Sequence, residues 1–187
     1  MRAAPARRDP AQDRRLVLAA MRGEHEAFAA LVHAYEQPVY HFASRTLRHG
    51  EEAADVTQET FVKAYRGLRI FRPELRFSTW LFSIAYHACC DRMGKRRRLS
   101  GDEPPDRQDP GPGPEELALR RDLQGRMQAA IARLPERYRA VVTLFYLNDR
   151  SYEEVAAILG VPLGTVKTHL HRAKERLRVM LASEESA

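Results

Sequence analysis

The sequence predicts an all-α protein: two small helical domains joined by a flexible linker, the C-terminal one a helix-turn-helix. Three observations predict it. Apolar residues recur at helical spacing with almost no strand-like alternation, and Pro and Gly are kept for the gaps. Residues 100–116 crowd together five prolines, three glycines and six acidic residues, with hardly an apolar side chain, so they cannot build a core. Residues 151–178 spell two short helices meeting at a sharp turn, the second basic along one side. With 187 residues the chain has room for two such bundles.

Taken in order, residues 1–13 are rich in Arg, Ala and Pro and are expected to form a disordered extension. A first domain over 14–98 should hold helices near 14–21, 25–48, 51–69 and 78–94, the second with Pro38 as a bend point. In the third, Ala54, Phe61, Ala64, Tyr65 and Leu68 form the expected core stripe. Residues 99–117 exceed the usual connection within a compact domain and read as an interdomain tether. The second domain spans 118–182, with 183–187 as a tail. Leu123, Met127, Ala130, Ile131 and Leu134 line its first helix, and Tyr138, Val141, Val142 and Phe145 line the next after Pro135. Ser151 with Glu154 makes a capping box, Gly160 allows the turn, and Pro162 stands where the last helix begins. On that helix Val166, Leu170, Ala173 and Leu177 make the buried stripe.

Thirty-one Lys and Arg against 25 Asp and Glu give a formal charge of +6, an excess that favours a polyanionic partner. Cys89 and Cys90 are adjacent, so on a helix they point to different sides and do not pair easily, which suits a reducing cytoplasm. No apolar run has signal-peptide or membrane-spanning length, so export and direct membrane insertion are not expected.

Thr165, Lys167, Thr168, His169, His171, Arg172 and Arg176 face outward on the last helix. Its amino end is the part that enters the major groove in this motif, while cations further along suit phosphates. Asp55, Gln58, Glu59 and Val62, at i, i+3, i+4 and i+7, make an acidic and amide patch with an apolar spot, suited to docking on a basic protein surface. The segment 71–80 brings Phe71, Arg72, Arg76, Phe77 and Trp80 together, and single-stranded DNA stacks on rings while its phosphates seek guanidinium; Phe77 and Trp80 equally suit a core. The following helix ends in cations, Lys95 and Arg96 among them, that suit a DNA backbone and complement a helix carboxyl end. No catalytic residue, metal site or cofactor is expected. His169 and His171 point apart, and His87, Cys89, Cys90 and Asp91 do not converge.

The string 55–66, followed by 77–85 and Asp91-Arg92, then the tether, then 134–139 and the helix-turn-helix, resembles an extracytoplasmic-function sigma factor of bacterial RNA polymerase, of the sigma-70 family. The similarity covers about residues 14–98 and 118–182. It implies a protein that binds core RNA polymerase and promoter DNA, helps melt the start region and makes or breaks no bond. Asp55, Gln58, Glu59 and Val62 would face the clamp helices of the polymerase's largest subunit. The loop from Phe71 to Phe77 and the helix through His87, Asp91 and Arg92 would capture the minus-ten element. Thr165, Lys167, Thr168, His169 and Arg172 would meet the minus-thirty-five element as duplex. His87 stands where the family often has Asn, and His169 where it often has Arg, which bears on base preference at both elements. Family habit also implies an anti-sigma factor as partner.

The tether suits this role, because about 18 extended residues reach roughly 60 Å, the order of the separation between two DNA elements one and a half to two turns apart. Two other readings are open. A stand-alone helix-turn-helix regulator would use residues 118–182 alone, and a metal-dependent nuclease would need a ligand set that the spacings do not supply.

Overall fold

The computed structural model describes residues 9–100 and 123–185, and every regular element among them is helical. The expected tether lies, from residue 101 on, outside the described residues, as do residues 1–8 and 186–187.

Helix α1 (Pro10–Met21) starts four residues before the expected position, which corrects the end of the N-terminal extension. The physical reason is a proper cap: the Asp9 carboxylate accepts from the Ala11 N–H at 2.9 Å, and Pro10 supplies a helical φ without a wasted donor. Asp13 is buried on this helix and accepts a hydrogen bond from the Tyr35 hydroxyl, pinning α1 to α2 (His25–Leu47). Gly23, at φ +94°, makes the turn between them. Helix α2 is unbroken through Pro38.

Helix α3 (Gly50–Gly67) buries Ala53, Val56, Thr57, Thr60, Phe61 and Ala64, a stripe turned by about one residue from the expected one. Ala54 is exposed, and Tyr65 faces out against His25 and Phe28. Two threonines take core positions because each hydroxyl bonds to the carbonyl four residues back, Thr57 to Ala53 at 2.7 Å and Thr60 to Val56 at 2.6 Å. A 3-10 turn (Leu68–Ile70) and a loop lead into α4 (Phe77–Ser100), which continues past the expected end at 94. Phe42 and Phe82 pack edge to face, 5.5 Å apart, at the centre of this half.

In the second half, α5 (Leu123–Ala132) buries Ala129, Ala130 and Ile131, with Leu134 just beyond its end. Met127, expected inside, is 38% exposed. Helix α6 (Glu136–Val142) runs into a π-helical turn (Thr143–Leu147). Helix α7 (Tyr152–Leu159) carries the complete Ser151–Glu154 capping box and ends at Gly160 with φ +66°. The Pro162 carbonyl accepts from Thr165 and Val166, which starts α8 (Leu163–Glu185). Val166, Leu170 and Ala173 are buried on it as expected, and Leu177 packs at the edge. Helices α7 and α8 form the helix-turn-helix.

The two halves touch. Helix α4 packs on α7, and α2 on α6 and the π-turn. Arg139, 4% exposed, donates to the carbonyls of Ala132 (2.9 Å) and Leu134 (3.1 Å) in its own half and of Thr46 (2.9 Å) at the end of α2. The guanidinium thus ties off carbonyls at two helix ends.

Candidate nucleic-acid and polymerase interface

The acidic ridge of α3 is at the surface. Asp55, Gln58 and Val62 are exposed and Glu59 is half-buried. Lys63 holds Glu59 at 2.7 Å, and that hydrogen bond, with Arg92 and Lys95 nearby, holds its carboxyl below the usual range. Beside the ridge runs a groove of about 850 Å³ between α2 and α3, walled by Phe28, Val32, Tyr40, Phe61, Val62 and Tyr65. An acidic rim next to an apolar trough is a surface with both a steering charge and something to bury.

The 71–80 segment is a correction in part. Phe71 is 6% and Phe77 3% exposed, so both rings are core and neither offers a face to a base. The cause is mutual packing: Phe71 lies 4.7 Å from Trp80 and 6.0 Å from Phe77, and Phe77 lies 5.7 Å from Tyr35. Trp80 is half-buried and covers Gly67, where an added Cβ would come within 3.1 Å of the indole. What the loop presents is Arg72, Leu75 and Arg76, all exposed. On α4 His87, Asp91 and Lys95 are exposed and Arg96 is half-buried. The His87 ring is anchored by a 2.6 Å contact from Nδ1 to the Ser83 carbonyl. Arg92, expected to face DNA, is half-buried and reaches across to the α3 ridge, 3.2 Å from Asp55 and 3.7 Å from Glu59. The surfaces expected to meet polymerase and DNA therefore share an edge.

On α8, Lys167, Thr168, His171 and Arg172 are exposed, while Thr165, His169 and Arg176 are half-buried. The Thr168 hydroxyl back-bonds to the Gly164 carbonyl at 2.9 Å. Sequence reasoning took Tyr138 as a core residue only, but its ring organises this face. His169 packs edge-on at 5.3 Å, and the guanidinium groups of Arg137 and Arg176 lie over it at 5.0 and 5.4 Å. A hydrogen bond from Arg172 lowers the Tyr138 phenol's pKa, aided by Arg137. Burial, then Arg137 and Arg172, lower that of His169, which favours the neutral imidazole. The Leu-Pro-Glu-Arg-Tyr-Arg string was the available signal, since it sets Arg137 beside Tyr138.

Among the described residues no three His, Cys, Asp or Glu converge as a metal-ion site, and no helix is long and apolar enough to cross a membrane. Cys89 and Cys90 are not joined in a disulfide, and burial pushes the Cys89 thiol up to about 12.

The family models Sigma-70 region 2 and Sigma-70, region 4 match residues 31–99 and 124–177. Among similar proteins are the ECF RNA polymerase sigma factor SigW of Bacillus subtilis and the ECF RNA polymerase sigma-E factor of Escherichia coli. The first is 34% identical over 86% of this chain and 91% of its own length. The second is 35% identical over 88% and 92%. Among solved structures, CnrH in complex with the cytosolic domain of CnrY superposes with a TM-score of 0.70 at 27% identity, covering 92% of this chain and 98% of that one. Both halves thus match in the same order along one chain, and relatives of similar length align almost end to end: the protein belongs to the extracytoplasmic-function group of the sigma-70 family of RNA polymerase sigma factors.

Proposed function

We propose that this sigma factor, which binds core RNA polymerase and directs it to promoters, docks through Asp55, Gln58, Glu59 and Val62 of α3. The exposed acidic ridge beside the apolar groove is the observation that carries this reading. Arg72 and Arg76, with His87, Asp91, Arg92, Lys95 and Arg96 of α4, engage the minus-ten element. Phe71, Phe77 and Trp80 hold that loop in shape from beneath. Thr165, Lys167, Thr168, His169, His171, Arg172 and Arg176 meet the minus-thirty-five element, with His169 as a neutral imidazole among cations. Residues 14–98 and 118–182 act as the two working units, joined by the tether, in the cytoplasm. The chain supplies recognition and no bond chemistry. An anti-sigma factor is a further partner, by analogy with CnrH, whose structure holds another protein's cytosolic domain.

Transcription from a genomic fragment library with added core polymerase tests the reading. Wild-type chain should give discrete start sites, and Asp55→Lys with Glu59→Lys should abolish them while duplex binding persists. Unchanged transcription by the double variant would instead favour a regulator that works through α7 and α8 without the ridge.

A further inference from the structure

Arg137 of α6 lies outside the helix-turn-helix, yet it stands among side chains assigned above to the minus-thirty-five element. Its guanidinium lies 5.0 Å from the centre of the Tyr138 ring, and that of Arg176, from α8, lies 5.4 Å from the same centre. His169 packs edge-on to this ring at 5.3 Å. The Tyr138 oxygen accepts hydrogen bonds from Arg172 and Arg137, so one atom is shared by cations of α8 and α6. Three guanidinium groups from two helices therefore gather about one phenol. Arg137 and Arg172 are exposed, and Arg176 is half-buried.

Among the described residues, none of these three arginines has a carboxylate as ion-pair partner. Like charges gathered this closely repel one another, and an anion set among them relieves the repulsion. The Tyr138 ring is 2% exposed, so it gives a base no platform for stacking. What it supplies is a fixed floor under the cations, which then lose less freedom when they bind. A phosphate matches a guanidinium with paired oxygens as well as charge.

We propose that Arg137, with Arg172 and Arg176, forms a cradle for one phosphate of the DNA backbone, and that Tyr138 is the positioning residue that holds the three in place. The phosphate belongs to the strand bordering the major groove that α8 enters. Arg137 thus fixes the register of α8 on the duplex from a neighbouring helix and reads no base itself. The inference rests on the assignment of α8 to the minus-thirty-five element.

The test uses the full chain bound to core RNA polymerase and a pool of random-sequence duplexes. Sequencing the retained duplexes gives the base preference, and one enriched duplex is then titrated through a salt series. Arg137→Ala should keep the wild-type base preference and thermal melt. It should lower the slope of log affinity against log salt by about one, and bind roughly five- to tenfold more weakly at about 0.1 M salt. Arg137→Lys keeps the charge and should keep most of the slope. Tyr138→Phe keeps the ring but removes the shared oxygen, so affinity should fall about threefold with the slope unchanged. Lys167→Ala, on the amino-terminal part of α8, should shift the preferred bases. If it does, the cradle is overturned by an unaltered slope in Arg137→Ala, by a changed base preference there, or by wild-type affinity in Tyr138→Phe. If Lys167→Ala shifts nothing, the reading of α8 fails, and the cradle with it.

Discussion

The Arg92 guanidinium on α4 lies 3.2 Å from the Asp55 carboxylate on α3, with Glu59 also in reach at 3.7 Å. The pair joins a side chain expected to bind DNA to one expected to bind polymerase. Because Asp55 is 62% exposed, the ion pair is worth under about 1 kcal/mol to folding. Arg92→Ala should therefore leave thermal stability nearly unchanged. Asp55→Lys, which reverses a docking charge, should weaken core-polymerase binding at least about tenfold, or roughly 1.4 kcal/mol, in a fluorescence titration.

Arg139 carries a different kind of interaction. It is buried, and its three carbonyl partners come from both halves of the molecule. Arg139→Ala strips those oxygens of their donor at a buried site, at a cost of about 3 kcal/mol. Arg139→Lys should recover only part of this, since an ammonium cannot fork to all three. Urea midpoints measured on the full chain give the comparison.

His169 should titrate below its ordinary value of 6.5, because burial against Tyr138 and two neighbouring arginines disfavour the imidazolium. The folded state then binds its proton less readily than the unfolded state. Stability should be level above pH 6.5 and decline as pH falls through 6.5 toward the folded-state pKa. Imidazole proton shifts in a pH series report the midpoint. Arg137→Ala and Arg172→Ala should each raise it without restoring it fully, since burial is the leading cause.

The helix-turn-helix depends on both ends of α7. Gly160 has φ +66° with open space around its Cα, so Gly160→Ala is strained by backbone alone, by about 1 kcal/mol. Gly160→Asn should cost less. Ser151→Ala removes the oxygen that accepts from the Glu154 N–H, worth about 1 kcal/mol. Thermal melts should show both losses, and duplex DNA affinity should fall with the folded fraction.

The chain's local signals were readable where the chemistry is local. The α7 cap, the Gly160 turn and the α8 stripe follow from residues within a few positions of one another. The α3 stripe was misjudged because Thr57 and Thr60 read as polar, whereas their hydroxyls are satisfied by their own helix and so fit a core. Ala54 and Tyr65 were displaced outward as a result. Phe71 and Phe77 carried two valid readings, and only their packing with Tyr35 and Trp80 chose burial. Contacts such as Arg139 to Thr46 or Arg76 to Glu154 join residues 93 and 78 positions apart. No periodicity encodes such pairs, so the closeness of the halves had no signature in the chain.

Trp80 is the chain's single tryptophan, and its ring lies tilted against that of Phe71, 4.7 Å away, next to the arginine-bearing loop. The molecule therefore contains a built-in optical gauge. Any ligand that lifts this loop changes the polarity and quenching around one indole, and stopped-flow emission can time that event in unlabelled protein without interference from a second fluorophore of the same kind.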